Sequence, residues 1–172
     1  IRIASAFVWE QGLDADQKFK FGDSDGYWHL AKQVANGDSY DYNSPYAKVF
    51  RTPGYPVFLA PLFWCFNEPP VIVARIIGAL LGTISVYLVF ILARTLFDVR
   101  TGFWAALLIA FYPGAIATSV LVLAEMLFVP AMLLQLLMTT YAQRAESKAA
   151  FAKFSLIAGV CYGIACLIRP SW

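Results

Sequence analysis

The sequence predicts an all-α polytopic membrane protein, and three observations support this fold class. Of its 172 residues, 60 % are hydrophobic and 14 % are charged, whereas a soluble domain usually has about 25 % charged residues. The second half contains several apolar stretches close to the length that a helix needs to cross a bilayer, about 20 residues. A polar segment rich in acidic residues precedes them. The composition therefore argues against a single soluble domain.

Four stretches are predicted to span the membrane, because backbone groups in lipid must find their hydrogen bonds within the protein. They are residues 71–93, 102–120, 124–142 and 154–168. We expect the second of them to be bent or shortened at Pro113-Gly114. Residues 1–9 are too short to span. We interpret them as the tail of a first span whose beginning is missing, in an N-terminal piece of a longer protein.

Residues 10–70 are predicted to form a long extracytoplasmic loop that contains short interfacial helices. One helix is expected over Asp23–Asn36, with Ser24 or Asp25 as its cap and Gly37 as its end. Apolar residues recur along it at helical spacing, and its aromatic residues suit a membrane surface.

The rest of this loop contains two short stretches with different characters. Residues 51–56 are rich in Pro and Gly, which is typical of a rigid turn. Residues 57–66 are apolar and aromatic but too short to span, so an interfacial or re-entrant position is expected.

The basic residues predict which side of the membrane each loop occupies. Bases flank the loops after the first and third predicted spans, and these loops share one side. They are Arg94, Arg100, Arg144, Lys148 and Lys153. Because short cytoplasmic loops carry an excess of bases, that side is predicted to be cytoplasmic. The 10–70 loop, Glu125 and Arg169 then converge on the outer face, which is the main functional clue.

Asp23 and Asp25 are the candidate catalytic carboxylates of the polar loop. A carboxylate beside a substrate hydroxyl or amine can act as a general base, and with a neighbour it could bind a metal. A divalent metal ion is thus left open as a cofactor. The alternative interpretation is helix capping, for which Ser24 and Asp25 are well suited.

Several other charged residues are candidates for substrate binding. The planar guanidinium of Arg51 suits a phosphate, although Arg51 could equally anchor the chain at lipid headgroups. Glu125 lies at the edge of apolar spans, where an ionisable group is a functional candidate, or in water at a loop tip. Arg169 could bind a lipid phosphate or extend to the interface, and Lys48 could add to an anionic-lipid site.

Other classes of function have little support in the sequence. No basic stripe lies beside stacking aromatics, so nucleic-acid binding is not expected. No Gly-rich phosphate loop or Ser-His-Asp arrangement is present. The three cysteines lack the spacing of a zinc site. A membrane-dissolved, phosphate-bearing donor is the substrate that best fits an outer face with several arginines.

The order of these motifs resembles the membrane glycosyltransferases of the dolichyl-phosphate-mannose protein mannosyltransferase and aminoarabinose transferase type, which have the GT-C fold. The resemblance extends over nearly the whole chain from about residue 21. The matching pieces are Asp23-x-x-x-Tyr27, Leu30-Ala31, Gly37, Arg51-Thr52-Pro53-Gly54-Tyr55-Pro56, Phe58-Leu59-Ala60, Ala93-Arg94 to Gly102, Pro113, Glu125-Met126-Leu127-Phe128 and Gly163-Ile164-Ala165 to Arg169-Pro170.

The resemblance implies a GT-C-like helical bundle and a concrete chemistry. In this family an acidic residue at the start of the first outer loop is thought to activate the acceptor, and Asp23 is the best match, with Asp25 as the alternative. The donor is a sugar on a polyprenyl phosphate, which is held by outer basic residues, and Arg51 and Arg169 match by place. The candidate substrate-binding residues are Tyr27, Lys48, Arg51, Tyr55, Glu125 and Arg169.

The expected function is therefore sugar transfer on the extracytoplasmic side of a membrane, with a bacterial inner membrane as the expected location. The acceptor could be a lipid, a glycan or a protein. Two alternatives remain open. A transporter or flippase would need polar groups near mid-membrane, and the predicted spans have few. A non-catalytic scaffold would use the loop as a binding surface and would not need Asp23.

Overall fold

The computed structural model describes residues 1–14, 18–19, 22–41 and 51–169. All regular structure in these residues is helical. The helices are α1 (Arg2–Gln11), α2 (Gly22–Asn36), α3 (Gly54–Cys65), α4 (Val71–Leu96), α5 (Val99–Phe111), α6 (Pro113–Val120), α7 (Glu125–Gln143) and α8 (Lys148–Ile168). Lys48 lies outside the described residues.

Helices α4, α7 and α8 are long and apolar enough to cross a bilayer, and α5 with α6 adds a fourth crossing if the bent pair is one span. Large apolar side chains point outward from these helices, among them Tyr87, Leu108 and Leu156, which are 64 %, 72 % and 71 % exposed. Such a surface is costly in water and suits lipid. The predicted fold class, an all-α polytopic membrane protein, is confirmed.

The bend between α5 and α6 measures 60° and falls at Tyr112, directly before the Pro113-Gly114 that predicts it. Because proline has no backbone N–H, Pro113 cannot donate to the carbonyl of Ile109 as the next helical residue would. The guanidinium of Arg2 donates to that carbonyl instead, at 3.1 Å. Arg2 also donates to the Ala115 carbonyl and, at 2.9 Å, to the Ser119 hydroxyl.

The bent pair runs beside α4 along most of its length, and glycines permit the close approach. Gly102 lies against the Phe90 carbonyl, where an added Cβ would be 2.9 Å from the oxygen. Gly78, near the start of α4, lies against Ser119, where a Cβ would be 2.4 Å from the carbonyl oxygen. The end of α6 is thus near the start of α4, and α5 begins near the end of α4.

Helix α2 begins at Gly22, one residue before the predicted start. Ser24 and Asp25 therefore lie inside its first turn, and the prediction that one of them caps it is wrong. Gly37 follows the helix with φ of +73°, a left-handed conformation that glycine adopts at little cost. The predicted end of the helix is confirmed.

Helix α3 begins at Gly54, so the predicted turn at residues 51–56 is only partly correct. Proline is tolerated in the first turn of a helix, where the N–H would have no partner. For this reason Pro56 does not prevent the helix from starting there. The helix has 12 residues and is too short to span, as predicted for residues 57–66.

The buried core lies at one end of the long helices, where α2 and α3 pack on them. Its members are Tyr27, Ala31, Tyr55, Leu59, Val71, Ala74, Val122, Ala124, Met126 and Ile168. They come from α2, α3, the start of α4, the α6–α7 connection, the start of α7 and the end of α8. The polar loop and three helix ends thus form one packed unit, on which the candidate site is built.

Candidate functional site

The start of α3 and the end of α8 are in direct backbone contact. The Thr52 hydroxyl donates to the carbonyl oxygen of Ile168 at 2.8 Å. The backbone at Gly54 lies so close to Leu167 that an added Cβ would be 2.6 Å from its carbonyl oxygen. Arg51 and Arg169, which flank these contacts in the chain, are therefore brought to the same place.

Both arginines form ion pairs with carboxylates of other elements. Arg51 pairs with Asp23 on α2, and Arg169 pairs with Glu125 at the start of α7. All four side chains are partly exposed, with Asp23 the most accessible at 50 %. The structure thus places the catalytic candidate Asp23 with three candidates for substrate binding, Arg51, Glu125 and Arg169, at the solvent-facing edge of the core.

Tyr27 lies among these charges. The Arg51 guanidinium carbon is 5.7 Å from the centroid of its ring. Burial raises the pKa of the Tyr27 phenol, and the charge of Arg51 opposes that shift. Asp23 and Glu125 raise this pKa further, whereas Arg169 lowers it. Since the bond between Thr52 and Ile168 holds the neighbouring arginines together, we treat the two ion pairs as a single site, the four-charge site (Asp23, Arg51, Glu125 and Arg169).

Tyr55 lies beneath the four-charge site rather than at its surface. It is completely buried and its ring meets Tyr27 edge-on, with centroids 5.1 Å apart. Its hydroxyl donates to the sulfur of Met126 at 3.4 Å. Burial raises the pKa of Tyr55 well above its usual value. This tyrosine therefore links α3 to the start of α7 and supports Tyr27 from below.

Asp25 points elsewhere. It lines an open cleft of about 330 Å³ with Trp28, His29, Lys32 and the connection from α3 to α4. Asp23 faces Arg51 instead. The structure therefore gives different surroundings to the two carboxylates, of which the sequence favoured Asp23.

A second, mostly apolar cavity of about 440 Å³ begins at the four-charge site. Glu125 and Met126 line it near the start of α7, and it continues past Val129 to Leu133. Residues of α4 and of the α5–α6 bend form the opposite wall. This mostly apolar cavity, with Glu125 at one end and Arg2 on its wall, can accommodate an amphiphilic molecule.

The dolichyl-phosphate-mannose-protein mannosyltransferase family model matches residues 51–171, more than half of the chain. The chain belongs to this family. The family predicted from the motifs is thus confirmed, and the protein is a membrane protein of a glycosyltransferase family. The matched segment includes Arg51, Glu125 and Arg169, whereas Asp23 precedes it. No curated protein and no solved structure matches significantly.

Arg75 lies outside the four-charge site and has a structural role. It is 1 % exposed, and its Nε lies 2.8 Å from a carboxylate oxygen of Glu10. It also donates to the carbonyls of Val120 and Lys18 at 3.1 and 2.8 Å. Arg75 therefore joins α1, α4 and α6 within the protein.

Sequence reasoning missed Arg2, Glu10 and Thr52 as residues of structural importance. An ionisable residue within a predicted span usually has a partner inside the protein, and the position of Arg2 in residues 1–9 could have singled it out. Nothing local marks Thr52, because its partner lies 116 residues away. Among the described residues, no group of three or more His, Cys, Asp or Glu could hold a metal ion.

Proposed function

We propose that the protein transfers a sugar from a polyprenyl-phosphate donor to an acceptor at the extracytoplasmic face of the membrane. The observation that carries this proposal is the four-charge site, which combines an accessible carboxylate with two guanidiniums in a chain of a glycosyltransferase family. The positions of the basic loops support the outer location, since the site lies at the opposite end of the long helices.

In this mechanism Asp23 is the general base. It removes the proton of the acceptor group as that group attacks the anomeric carbon of the sugar. The bond between that carbon and the phosphate oxygen breaks, and its electron pair remains on the phosphate. Arg51 and Arg169 stabilise the negative charge that builds there. A phosphate bound to Arg51 replaces Asp23 as its partner, which leaves the carboxylate free for the acceptor.

The remaining candidates take supporting roles in this proposal. Tyr27 contacts the substrate beside Arg51, and Glu125 orients Arg169. Tyr55 acts from beneath, through its contact with Tyr27. Lys48 adds positive charge to the phosphate site, a proposal that rests on its sequence position.

The apolar cavity along α7 supports a lipid-linked donor. The cavity starts beside Glu125. A donor whose phosphate is bound by Arg169 therefore has its prenyl chain next to the opening of the cavity. Burial of each CH₂ group stabilises binding by about 0.8 kcal/mol. The proposed location is a bacterial inner membrane, and the acceptor is a lipid, a glycan or a protein. A divalent metal ion is not needed for the steps above and stays open.

Substitution of the two aspartates tests this proposal. We expect Asp23→Asn to lower sugar transfer by about 10²- to 10⁴-fold, the usual contribution of a general base. Asp25→Asn is the matched control, because it removes the same charge two residues away and faces another cleft. Transfer from radiolabelled polyprenyl-phosphate sugars is measured with full-length protein in membrane vesicles, at equal expression.

The outcomes separate the alternatives. If only Asp25→Asn abolishes transfer, the protein is still a sugar transferase, but Asp25 rather than Asp23 is its general base. If both variants are as active as the wild type, neither aspartate is the general base. A wild type that transfers no sugar from any donor would favour the transporter or the scaffold.

A further inference from the structure

The contact between the start of α3 and the end of α8 lies directly beside both arginines of the four-charge site. We propose that Thr52 and Gly54 are positioning residues that set the distance between Arg51 and Arg169, so that both guanidiniums bind the same phosphate group. This inference rests on the proposed function, because it assumes that the site binds the phosphate of a lipid-linked donor.

The first part of the contact is the hydrogen bond from Thr52 to Ile168. The last four carbonyls of an α-helix have no partner within the helix, and that of Ile168 is among them in α8. The Ile168 residue is 1 % exposed, so water has little access to replace the Thr52 hydroxyl. Each partner in this bond is the chain neighbour of one of the two arginines.

The second part is the approach of the backbone at Gly54 to the last turn of α8. A Cβ added to Gly54 would lie 2.6 Å from the Leu167 carbonyl oxygen and 2.8 Å from the Ile168 nitrogen. Real Cβ atoms essentially never come within 3.0 Å of such atoms. Both neighbours are backbone, which cannot move aside as a flexible side chain can. Any side chain at this position must therefore push α3 and α8 apart.

Tyr40 holds the same segment from the other side. Its hydroxyl lies 3.0 Å from the carbonyl oxygen of Arg51 and 3.3 Å from that of Thr52. The backbone of Arg51 is thus fixed between Tyr40 and the end of α8. A guanidinium whose backbone is held in this way loses less freedom on binding a phosphate, which favours affinity.

A purely structural contact and a positioning contact predict different results. A structural role lowers the stability of the whole protein and affects donor and acceptor alike. A positioning role weakens phosphate binding in particular, because only the two guanidiniums are displaced relative to each other. The acceptor contacts Asp23 on α2, which takes no part in the contact between α3 and α8.

Two substitutions at Thr52 test this difference in the full-length protein. Thr52→Val keeps the shape and removes the donor, whereas Thr52→Ser keeps the donor. We expect Thr52→Val to weaken binding of undecaprenyl phosphate by about tenfold, because the two guanidiniums are no longer held at the spacing that one phosphate requires. Thr52→Ser should bind like the wild type. The KM for the acceptor should stay unchanged in both.

Two glycine substitutions provide an independent test with a matched control. Gly54→Ala should weaken binding of undecaprenyl phosphate by more than Thr52→Val does, because its Cβ meets backbone. Gly159→Ala places the same methyl group on α8, where nothing lies within 4 Å, and should bind normally. If Gly54→Ala does not fold, the Thr52 pair decides the question by itself.

The failure of this inference can be told apart from the failure of the proposed function. A wild type that binds no undecaprenyl phosphate contradicts the proposed function. A second outcome is that the wild type binds undecaprenyl phosphate, that Arg51→Gln and Arg169→Gln lose affinity, and that Thr52→Val keeps it. In that case the proposed function stands and the positioning role is refuted. A Thr52→Val variant that loses thermal stability with unchanged affinity would also refute it.

Discussion

Arg75 and Arg169 are both arginines near the same end of the long helices, but their surroundings differ. Arg75 is 1 % exposed and has an acidic partner and two carbonyl partners. The Arg169 side chain is 45 % exposed and pairs with Glu125. Removal of one partner from a buried charge network is costly, whereas exposed ion pairs contribute little.

We therefore expect opposite effects from the same substitution at these positions. Arg75→Gln should destabilise the protein by about 3–5 kcal/mol, because the Glu10 carboxylate loses its partner. Arg169→Gln should cost about 1 kcal/mol or less but impair sugar transfer. Thermal unfolding in detergent, measured beside the transfer assay, checks both. Equal losses of stability in the two variants would contradict this assignment.

At the residue scale the sequence named all four members of the four-charge site as candidates but did not predict how they pair. Asp23, Arg51, Glu125 and Arg169 could each be recognised by type and by place in the chain. Their pairing could not, because the partners are separated by 28 and 44 residues. Local spacing contains no information on which distant side chains meet. For the same reason the preference for Asp23 over Asp25 rested on the family motif alone, and their different surroundings are visible only in the structure.

At the scale of elements, hydrogen bonds from Tyr40 connect the segment after α2 to the segment before α3. It is partly buried, and its hydroxyl bonds to two carbonyls of that second segment. Burial, with a smaller contribution from Tyr27, raises the pKa of Tyr40 to about 12. The neutral phenol is therefore the form that the folded protein favours.

This shift predicts a loss of stability at alkaline pH. The unfolded chain releases the Tyr40 proton near pH 10, whereas the folded protein keeps it until about pH 12. Stability from this group is complete below pH 10 and is lost as pH rises from 10 to 12. Tyr40→Phe should be less stable at neutral pH and show a weaker decline over this range. The check is thermal unfolding as a function of pH.

The control for this measurement is Thr52→Val, which removes a hydrogen bond of the same segment without removing a titratable group. Its stability should decline with pH like that of the wild type. A Tyr40→Phe variant whose decline equals that of the wild type would show that the Tyr40 proton does not contribute.

The helices themselves were largely predictable from the sequence. Apolar periodicity and Gly37 defined α2 to within one residue at its start, and Pro113 located the bend before α6. The start of α3 was predicted less well, because a Pro-Gly stretch fits both a turn and the first turn of a helix. The contact with α8 that holds this start is distant in the chain, so the sequence gives no sign of it.

At the scale of the whole molecule, the proposed topology places the four-charge site outside and the basic loops inside. Cys65 is exposed at the end of α3 and should lie on the outer face. Ala149 is exposed at the start of α8 and should lie in the cytoplasm. Positive-inside counting is the basis of this assignment.

Labelling with a membrane-impermeant maleimide checks this topology. In a background with Cys161→Ala and Cys166→Ala, intact cells should show labelling at Cys65. With Cys65→Ser added, Ala149→Cys should be labelled only after the cells are opened. Labelling in the reverse order would place the four-charge site in the cytoplasm and would contradict the proposed function.

The bond between Arg2 and the α5–α6 bend has a consequence for how the protein is made. The Ile109 carbonyl cannot accept a hydrogen bond from Pro113, which lacks a backbone N–H. It accepts one from the guanidinium of Arg2 in α1 instead. In hydrocarbon an unpaired carbonyl costs several kcal/mol, so α5 and α6 are complete only after they dock on α1. Because α1 precedes α5 and α6 in the chain, it leaves the ribosome before them, and Arg2 is already present when the bend enters the membrane. Synthesis in the N-to-C direction thus produces the Arg2 guanidinium before the Ile109 carbonyl to which it donates.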